Sequence, residues 1–210
     1  MNLGKKLVLA TILAFSTIGA ANASLVVLDT FDYDPVVDLE VNVANPSDTT
    51  IRYDVNSQLG DVQYSLAYVS GPGALDGSSV SFDLSGDGVL SYSNDDFMLS
   101  TLTMLYSAFN GTPTSSLDLT GAGAQDSFYF DVLSSDLGFN ISVVVGSDSG
   151  ANTSIYNQAS SAVSSLTREL IAFSGFATLA GTGADFTSVD FVNIVLTTTQ
   201  VGSDLTITEF

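Results

Sequence analysis

Oxygen ligands are the only reactive chemistry this chain carries in quantity. Its 210 residues hold 23 Asp and Glu against four Lys and Arg, with no His, Cys or Trp. Without His there is no imidazole general base, no Ser-His-Asp triad and no ordinary zinc or copper site. Without Cys there is neither a disulfide framework nor a thiolate metal site, so the core alone must hold the fold. Two uses of carboxylate remain: several oxygens around a hard cation, or a pair of acids working on a glycosidic bond.

Two sets of residues fit a cation. Asp83, Ser85 and Asp87 supply oxygens at alternate positions of Asp83-Leu84-Ser85-Gly86-Asp87-Gly88, which matches the start of a calcium loop with Gly88 at its sharp turn. The twelfth position is Asn94 rather than a bidentate glutamate, and Gly and Asp are what a plain hairpin turn demands there anyway. The second set is spatial. The apolar run Asp204 to Phe210 ends the chain, and a strand there needs a partner. If the partner lies near the start, Glu209 approaches Asp29 and Asp32, and three converging carboxylates favour a calcium ion over mutual repulsion. The alternative is that these acids are solvated edge residues.

Hydrolytic chemistry is less well supplied. It needs two acids about 5–10 Å apart in a cleft, one with a raised pKa. Glu40, Glu169 and Glu209 are the only glutamates, and Glu169 beside Arg168 reads as a surface pair. The residues therefore indicate a protein that is not an enzyme. Binding is better served: Tyr53, Tyr64, Tyr68, Tyr92 and Tyr106 lie on strand-like runs, and an exposed tyrosine beside Asp or Asn can stack on a glycan. Tyr53, Tyr64 and Tyr68 share the phase of their apolar neighbours, which assigns them to the core. The pairs Thr101/Thr103 and Thr206/Thr208 suggest contact with ordered water or ice, or simply threonine's preference for strands.

The elements that position these groups begin after a leader. Lys5 and Lys6, the 12-residue apolar run Leu7 to Ile18 and the small-x-small Ala21-Asn22-Ala23 form a signal peptide, residues 1–23, cleaved after Ala23. The apolar run is shorter than the ~20 residues that span a bilayer. Its removal leaves Arg52 and Arg168 as the only cations against all 23 acids, a net charge of −21. Such a surface repels phosphate and anionic lipid, which excludes nucleic acid as a partner.

Residues 24–210 read as one all-β domain. Val37 to Val43, Ile51 to Val55 and Val62 to Tyr68 alternate apolar and polar residues, as do Val80 to Leu84 and Val89 to Tyr92 around the Ser85 to Gly88 turn. Leu99 to Phe109 is more continuously apolar, which predicts a strand buried on both faces. Phe128 to Val132 and Phe139 to Val145 flank the Ser134 to Gly138 turn and predict a hairpin; Ser188 to Thr198 and Asp204 to Phe210 predict a closing one. Ser154 to Ser165 reads as an irregular strand, with a short helix as the alternative. Ten or more short strands without a substantial helix predict an antiparallel, jelly-roll-like β-sandwich.

The segments Leu117 to Ala124, Asp126 to Gly138, Phe173-Ser174-Gly175-Phe176 and Phe186 to Phe191, with Asp29-Thr30-Phe31-Asp32 near the start, resemble exported bacterial jelly-roll proteins of the PEP-CTERM, exosortase-sorted type. The resemblance implies a surface or biofilm-matrix role without catalysis. Such proteins continue into a Pro-Glu-Pro signal, an apolar helix and a basic tail; this sequence stops at Phe210, so a lost or truncated tail and simple secretion both stay open. The expected function is an exported, acidic, structural or adhesive protein of the cell surface or matrix. The alternative is a carbohydrate-binding module with a structural calcium and a polysaccharide partner.

Overall fold

A computed structural model of the chain describes residues 28–29, 31, 38–57, 59–71, 77–82, 88–107 and 116–209. The leader 1–23 lies outside the described residues. Among the described residues thirteen strands, numbered in chain order, build two antiparallel sheets. One has the order β1 (Leu39–Asn42), β4 (Gly77–Phe82), β5 (Leu90–Asn94), β13 (Asp204–Glu209), β7 (Ser127–Ser135), β10 (Thr167–Ala172). The other runs β11 (Ala177–Ala180), β9 (Asn152–Ser160), β8 (Phe139–Ser147), β12 (Val189–Thr198), β6 (Leu99–Ser107), β3 (Gly60–Ser70), β2 (Ser47–Ser57).

The winding follows from those two orders. Consecutive strands β1/β2, β3/β4, β5/β6, β7/β8, β9/β10 and β12/β13 each place one member in either sheet, and the pairs occupy matching positions in the two strand orders. The final pair enters between the halves: β12 lies between β6 and β8, and β13 between β5 and β7. This is the jelly-roll arrangement expected of the sequence.

Two expected hairpins are therefore crossings between sheets. β7 and β8 are not paired with each other, nor are β12 and β13, because each member buries its apolar face against the opposite sheet. The final strand pairs with β5 and β7 rather than with a strand near the start, and β1 is three positions away at the edge. β4 and β5 do form a hairpin, pairing from Ser78 opposite Asn94 to Phe82 opposite Leu90, and residues 83–87 between them lie outside the described residues. The ambiguous segment is a strand over Asn152–Ser160.

β6 alternates strictly, with Ser100, Leu102, Met104 and Tyr106 buried and the residues between them partly exposed. It is covered on one face only, because Thr101, Thr103 and Leu105 look out of the sandwich. The inward residues of β3, β6, β8 and β12 meet those of β5, β7 and β13 in a single core. Phe130 of β7 and Phe139 of β8 touch across it edge to face at 6.2 Å. A buried polar chain also joins the sheets: Asn94 Nδ2 donates to Thr198 Oγ1 at 3.0 Å, and Ser100 Oγ donates to Asn94 Oδ1 at 2.6 Å. Tyr92 and Ser100 share a further bond at 2.8 Å, and burial pushes the Tyr92 phenol above its ordinary pKa.

Beside β9, β10 and β11, one end of the sandwich is closed by aromatics. Phe173 stacks on Phe186 at 4.6 Å and meets Phe128 edge-on at 5.2 Å, while Phe176 leans on Tyr156 at 5.5 Å. The Phe-Ser-Gly-Phe motif makes this possible through a 3-10 turn, Phe173–Gly175, whose glycine lies against the Tyr156 ring; a Cβ there would sit 2.9 Å from it. The motif is accounted for by packing.

Candidate functional site

The predicted cation ligands are placed as follows. Asp29 is 1% exposed, and its carboxylate accepts from the Tyr106 hydroxyl at 2.9 Å, the Phe31 N–H at 2.7 Å and the Tyr64 hydroxyl. It clasps the start of the domain to β3 and β6, with Leu28 and Phe31 buried on either side. Glu209 sits on β13 opposite Asp131 in register, far along the sheet from β1. Asp32, Asp83, Ser85 and Asp87 lie outside the described residues. Asn94, at the twelfth loop position, is 3% exposed and engaged with Ser100 and Thr198.

Among the described residues no three carboxylates converge as a metal site. Asp95, Asp96 and Asp204 line one open depression of about 420 Å³, where Ser93 Oγ donates to Asp204.

Four further carboxylates, Asp131, Glu169, Asp118 and Asp185, are held by hydrogen bonds within the fold. Arg168 does not pair with its neighbour Glu169, because consecutive strand residues face opposite ways. Its Nε and Nη2 donate to the two oxygens of Asp131, each at 2.7 Å, and its guanidinium lies 3.9 Å from the Tyr129 ring centre. This hydrogen bonding holds the Asp131 carboxyl below its usual pKa. Glu169 turns inward to accept from Gln158 at 3.1 Å and Ser160 at 3.0 Å. Asp118 and Asp185 are likewise depressed, each by the hydroxyl and backbone donors of a nearby threonine turn.

The tyrosines considered for glycan stacking are mostly interior. Tyr64, Tyr92 and Tyr106 are at most 1% exposed, and Tyr68 packs on the core with its hydroxyl donated to Gly71 O at 2.8 Å. The side chain of Tyr53 lies outside the described residues. Their alternation with buried neighbours already gave that answer for Tyr64 and Tyr68.

What the sequence reading passed over is the outer face of the seven-stranded sheet. Register aligns Ser47, Ala67, Thr101, Thr197, Asn140 and Ala159 in one row across six strands. The next row is Thr49, Ser65, Thr103, Val195, Ser142 and Asn157. The third is Ile51, Gln63, Leu105, Asn193, Val144 and Ile155. None of these carries a formal charge, on a chain whose net charge is −19.

Hydroxyls bridge strands within the rows, Thr49 to Ser65 at 3.2 Å and Thr101 to Thr197 at 3.5 Å. Over β8, β9 and β12 the face dips into an open groove of about 430 Å³, with Asn140, Ser142, Asn157, Thr197 and Val195 among its lining. Beyond it Phe191 lies flat on Gly146, where a Cβ would come within 2.0 Å of the ring. Only the Thr101/Thr103 pair signalled this face in the sequence. The rest was hidden because its members come from strands up to about 150 residues apart and meet only through register.

The groove can hydrogen-bond but has no group to move a proton. Each amide offers two donors and an acceptor and each hydroxyl one donor with two lone pairs, at strand spacings of about 4.8 Å. Such a surface suits a neutral polyhydroxylated ligand.

The protein is thus an antiparallel β-sandwich of jelly-roll winding with an uncharged polar groove on one sheet. No protein-family model matches the chain, and no curated protein matches its sequence. Solved structures do show similarity. The family 11 carbohydrate-binding module of the cellulosomal cellulase Lic26A-Cel5E of Clostridium thermocellum is 14% identical, over 87% of this chain and 91% of that one, with a TM-score of 0.37. TmCBM61 in complex with beta-1,4-galactotriose is 11% identical over 86% and 90%, with a TM-score of 0.33. The agarase AgWH50C is 7% identical over 67% of this chain and 22% of that one, at 0.37. The fold assignment rests on the strand order and register above rather than on these likenesses.

Proposed function

We propose that the protein is an exported, non-catalytic β-sandwich that binds neutral polysaccharide through the outer face of its seven-stranded sheet. The observation that carries this reading is the groove lined by Asn140, Ser142, Asn157 and Thr197, within three rows of side chains free of formal charge. Amides and hydroxyls exchange hydrogen bonds with sugar hydroxyls, and Val195 beside them offers an apolar contact to the face of a ring. The acid carried elsewhere on the chain disfavours uronate or sulfate polymers. Export rests on the Lys5 to Ala23 leader, and a place at the cell surface or in a matrix rests on the PEP-CTERM-like resemblance. A structural calcium, at Asp29, Asp32 and Glu209 or at the Asp83 loop, is a separate part of the reading.

The test is retardation of the mature protein in native gels cast with neutral glucans and galactans or with alginate. Asn140→Ala/Asn157→Ala should weaken binding to the retarding neutral polymer by about tenfold, since each lost bond contributes about 0.5–1.5 kcal/mol. Absence of retardation by any neutral polymer, or equal retardation of the double variant, overturns the reading. A thermal melt with and without calcium tests the cation independently.

A structural role within an assembled matrix is the second reading. The leucine-bearing edge of β10 favours it.

A further inference from the structure

β10 is the last strand of the six-stranded sheet, and no other described strand pairs with its free side. A strand edge exposes unpaired N–H and C=O groups, and soluble proteins blunt such edges with outward charges, short strands or irregular pairing. The other three edges are better protected: β1 is four residues long and presents Glu40, β11 is four residues long with a register shift, and β2 is met by β1, whose Glu40 N–H donates to Asp48 at 3.2 Å.

β10 does not. Its charges are tied down: Arg168, though 53% exposed, is held on Asp131 and the Tyr129 ring, and Glu169 is bonded to Gln158 and Ser160. The other exposed positions are Leu170 and Ala172 and, just before the strand, Leu166, and both leucines are 61% exposed. Leu133, 42% exposed, adds to the apolar surface from β7.

We infer that β10 is the seam of a two-fold dimer between two copies of this chain, paired antiparallel about Leu170. The strand is self-complementary in that register. Leu170 faces Leu170 of the second copy, Arg168 faces Ala172 and Glu169 faces Ile171, so no charge meets a like charge. Centring the pair on Arg168 or on Glu169 would set like charges directly opposite each other, which is destabilising. The occupant is a second copy because a strand edge calls for another strand, and this one fits itself with Arg168 already paired to Asp131 and Glu169 already hydrogen-bonded to Gln158 and Ser160. The copies also repel through their net charge, −19 each for the full chain and −21 each without residues 1–23. Screening shortens that repulsion to about 8 Å at physiological ionic strength, so the dimer is favoured by salt rather than dispersed by it.

The chain has no native cysteine, so a single introduced thiol reports on the seam directly. Directly opposed strand residues have Cα atoms about 4.5–5.5 Å apart, within the span of a disulfide. Mature protein carrying Leu170→Cys should form a covalent dimer on mild oxidation, and Leu166→Cys should stay monomeric. Light scattering of the wild-type protein should show a dimer fraction that rises with sodium chloride. Leu170→Asp, at a position exposed enough to leave the fold intact by circular dichroism, should weaken the dimer by about tenfold or more. A wild-type protein that stays monomeric at high concentration and high salt overturns the inference. So does a dimer unaffected by Leu170→Asp, or cross-linking through Leu166→Cys as readily as through Leu170→Cys.

Discussion

Replacing Asp29 with alanine should destabilise the whole sandwich, although the residue lies at the margin of the described domain. Its carboxylate is 1% exposed and accepts three hydrogen bonds, two of them from the tyrosine hydroxyls of β3 and β6. Bonds to a charged group contribute about 1.5–3 kcal/mol each, so the three together amount to about 5–9 kcal/mol. Burying the carboxylate costs several kcal/mol of lost hydration, which the variant no longer carries. The expected net loss is about 2–5 kcal/mol, a large share of the ~5–15 kcal/mol typical of a folded protein.

The loss also loosens Leu28 and Phe31, which the clasp holds in the core. Phe31 has a left-handed backbone, φ 53°, and its N–H is bonded to Asp29, so that conformation loses its support as well. Equilibrium urea unfolding followed by circular dichroism measures the change, with Tyr106→Phe as a partner variant that removes one donor and should cost about 1–3 kcal/mol. The two changes share one interaction and should be less than additive in a double-mutant cycle. An Asp29→Ala variant within about 0.5 kcal/mol of wild type would refute the reasoning, because the clasp would then do no more than offset its own desolvation.

Gly146→Ala should destabilise by about 1–3 kcal/mol through overpacking, since its methyl would meet the Phe191 ring; in a Phe191→Ala background the same change should cost under about 0.5 kcal/mol, as urea unfolding of the four proteins would show. Acid sensitivity follows from Asp118, Asp131 and Asp185, whose folded-state pKa values lie below the ordinary 3.8. A depressed carboxylate stabilises above its unfolded pKa, and that stability is lost as pH falls through the folded one. Urea midpoints should therefore hold steady down to about pH 4 and decline below it, with a shallower decline in Asp131→Asn.

Much of the fold was legible in the chain because a two-residue period fixes which face of a strand is buried whatever its neighbours are. Val62 to Tyr68, Val80 to Leu84 as far as the described Phe82, and Phe139 to Val145 follow that period. Ser154 to Ser165 has helical spacing instead, and reads as an irregular strand only because its serines and the lack of a start signal disfavour a helix. Partner choice was not legible. Ser134 to Gly138 reads as a hairpin turn, yet it carries the chain from one sheet to the other, because local turn chemistry does not encode which sheet the next apolar face will cover. The expected Arg168–Glu169 pair failed for a simpler reason: adjacent strand residues point to opposite faces, and Arg168 found Asp131 across the ladder.

By itself the sequence determined the strand-rich class, the lack of thiol and imidazole chemistry, the acidic surface and the interior place of Tyr64. Each depends only on composition or on spacing along a few residues. Tertiary structure decided that the last two strands fill the gap between the halves, that Asp29 clasps tyrosines in the core, and that Asn140, Ser142, Asn157 and Thr197 share one groove. Those outcomes depend on register between strands far apart in the chain, where moving the pairing by one residue would turn every side chain to the other face.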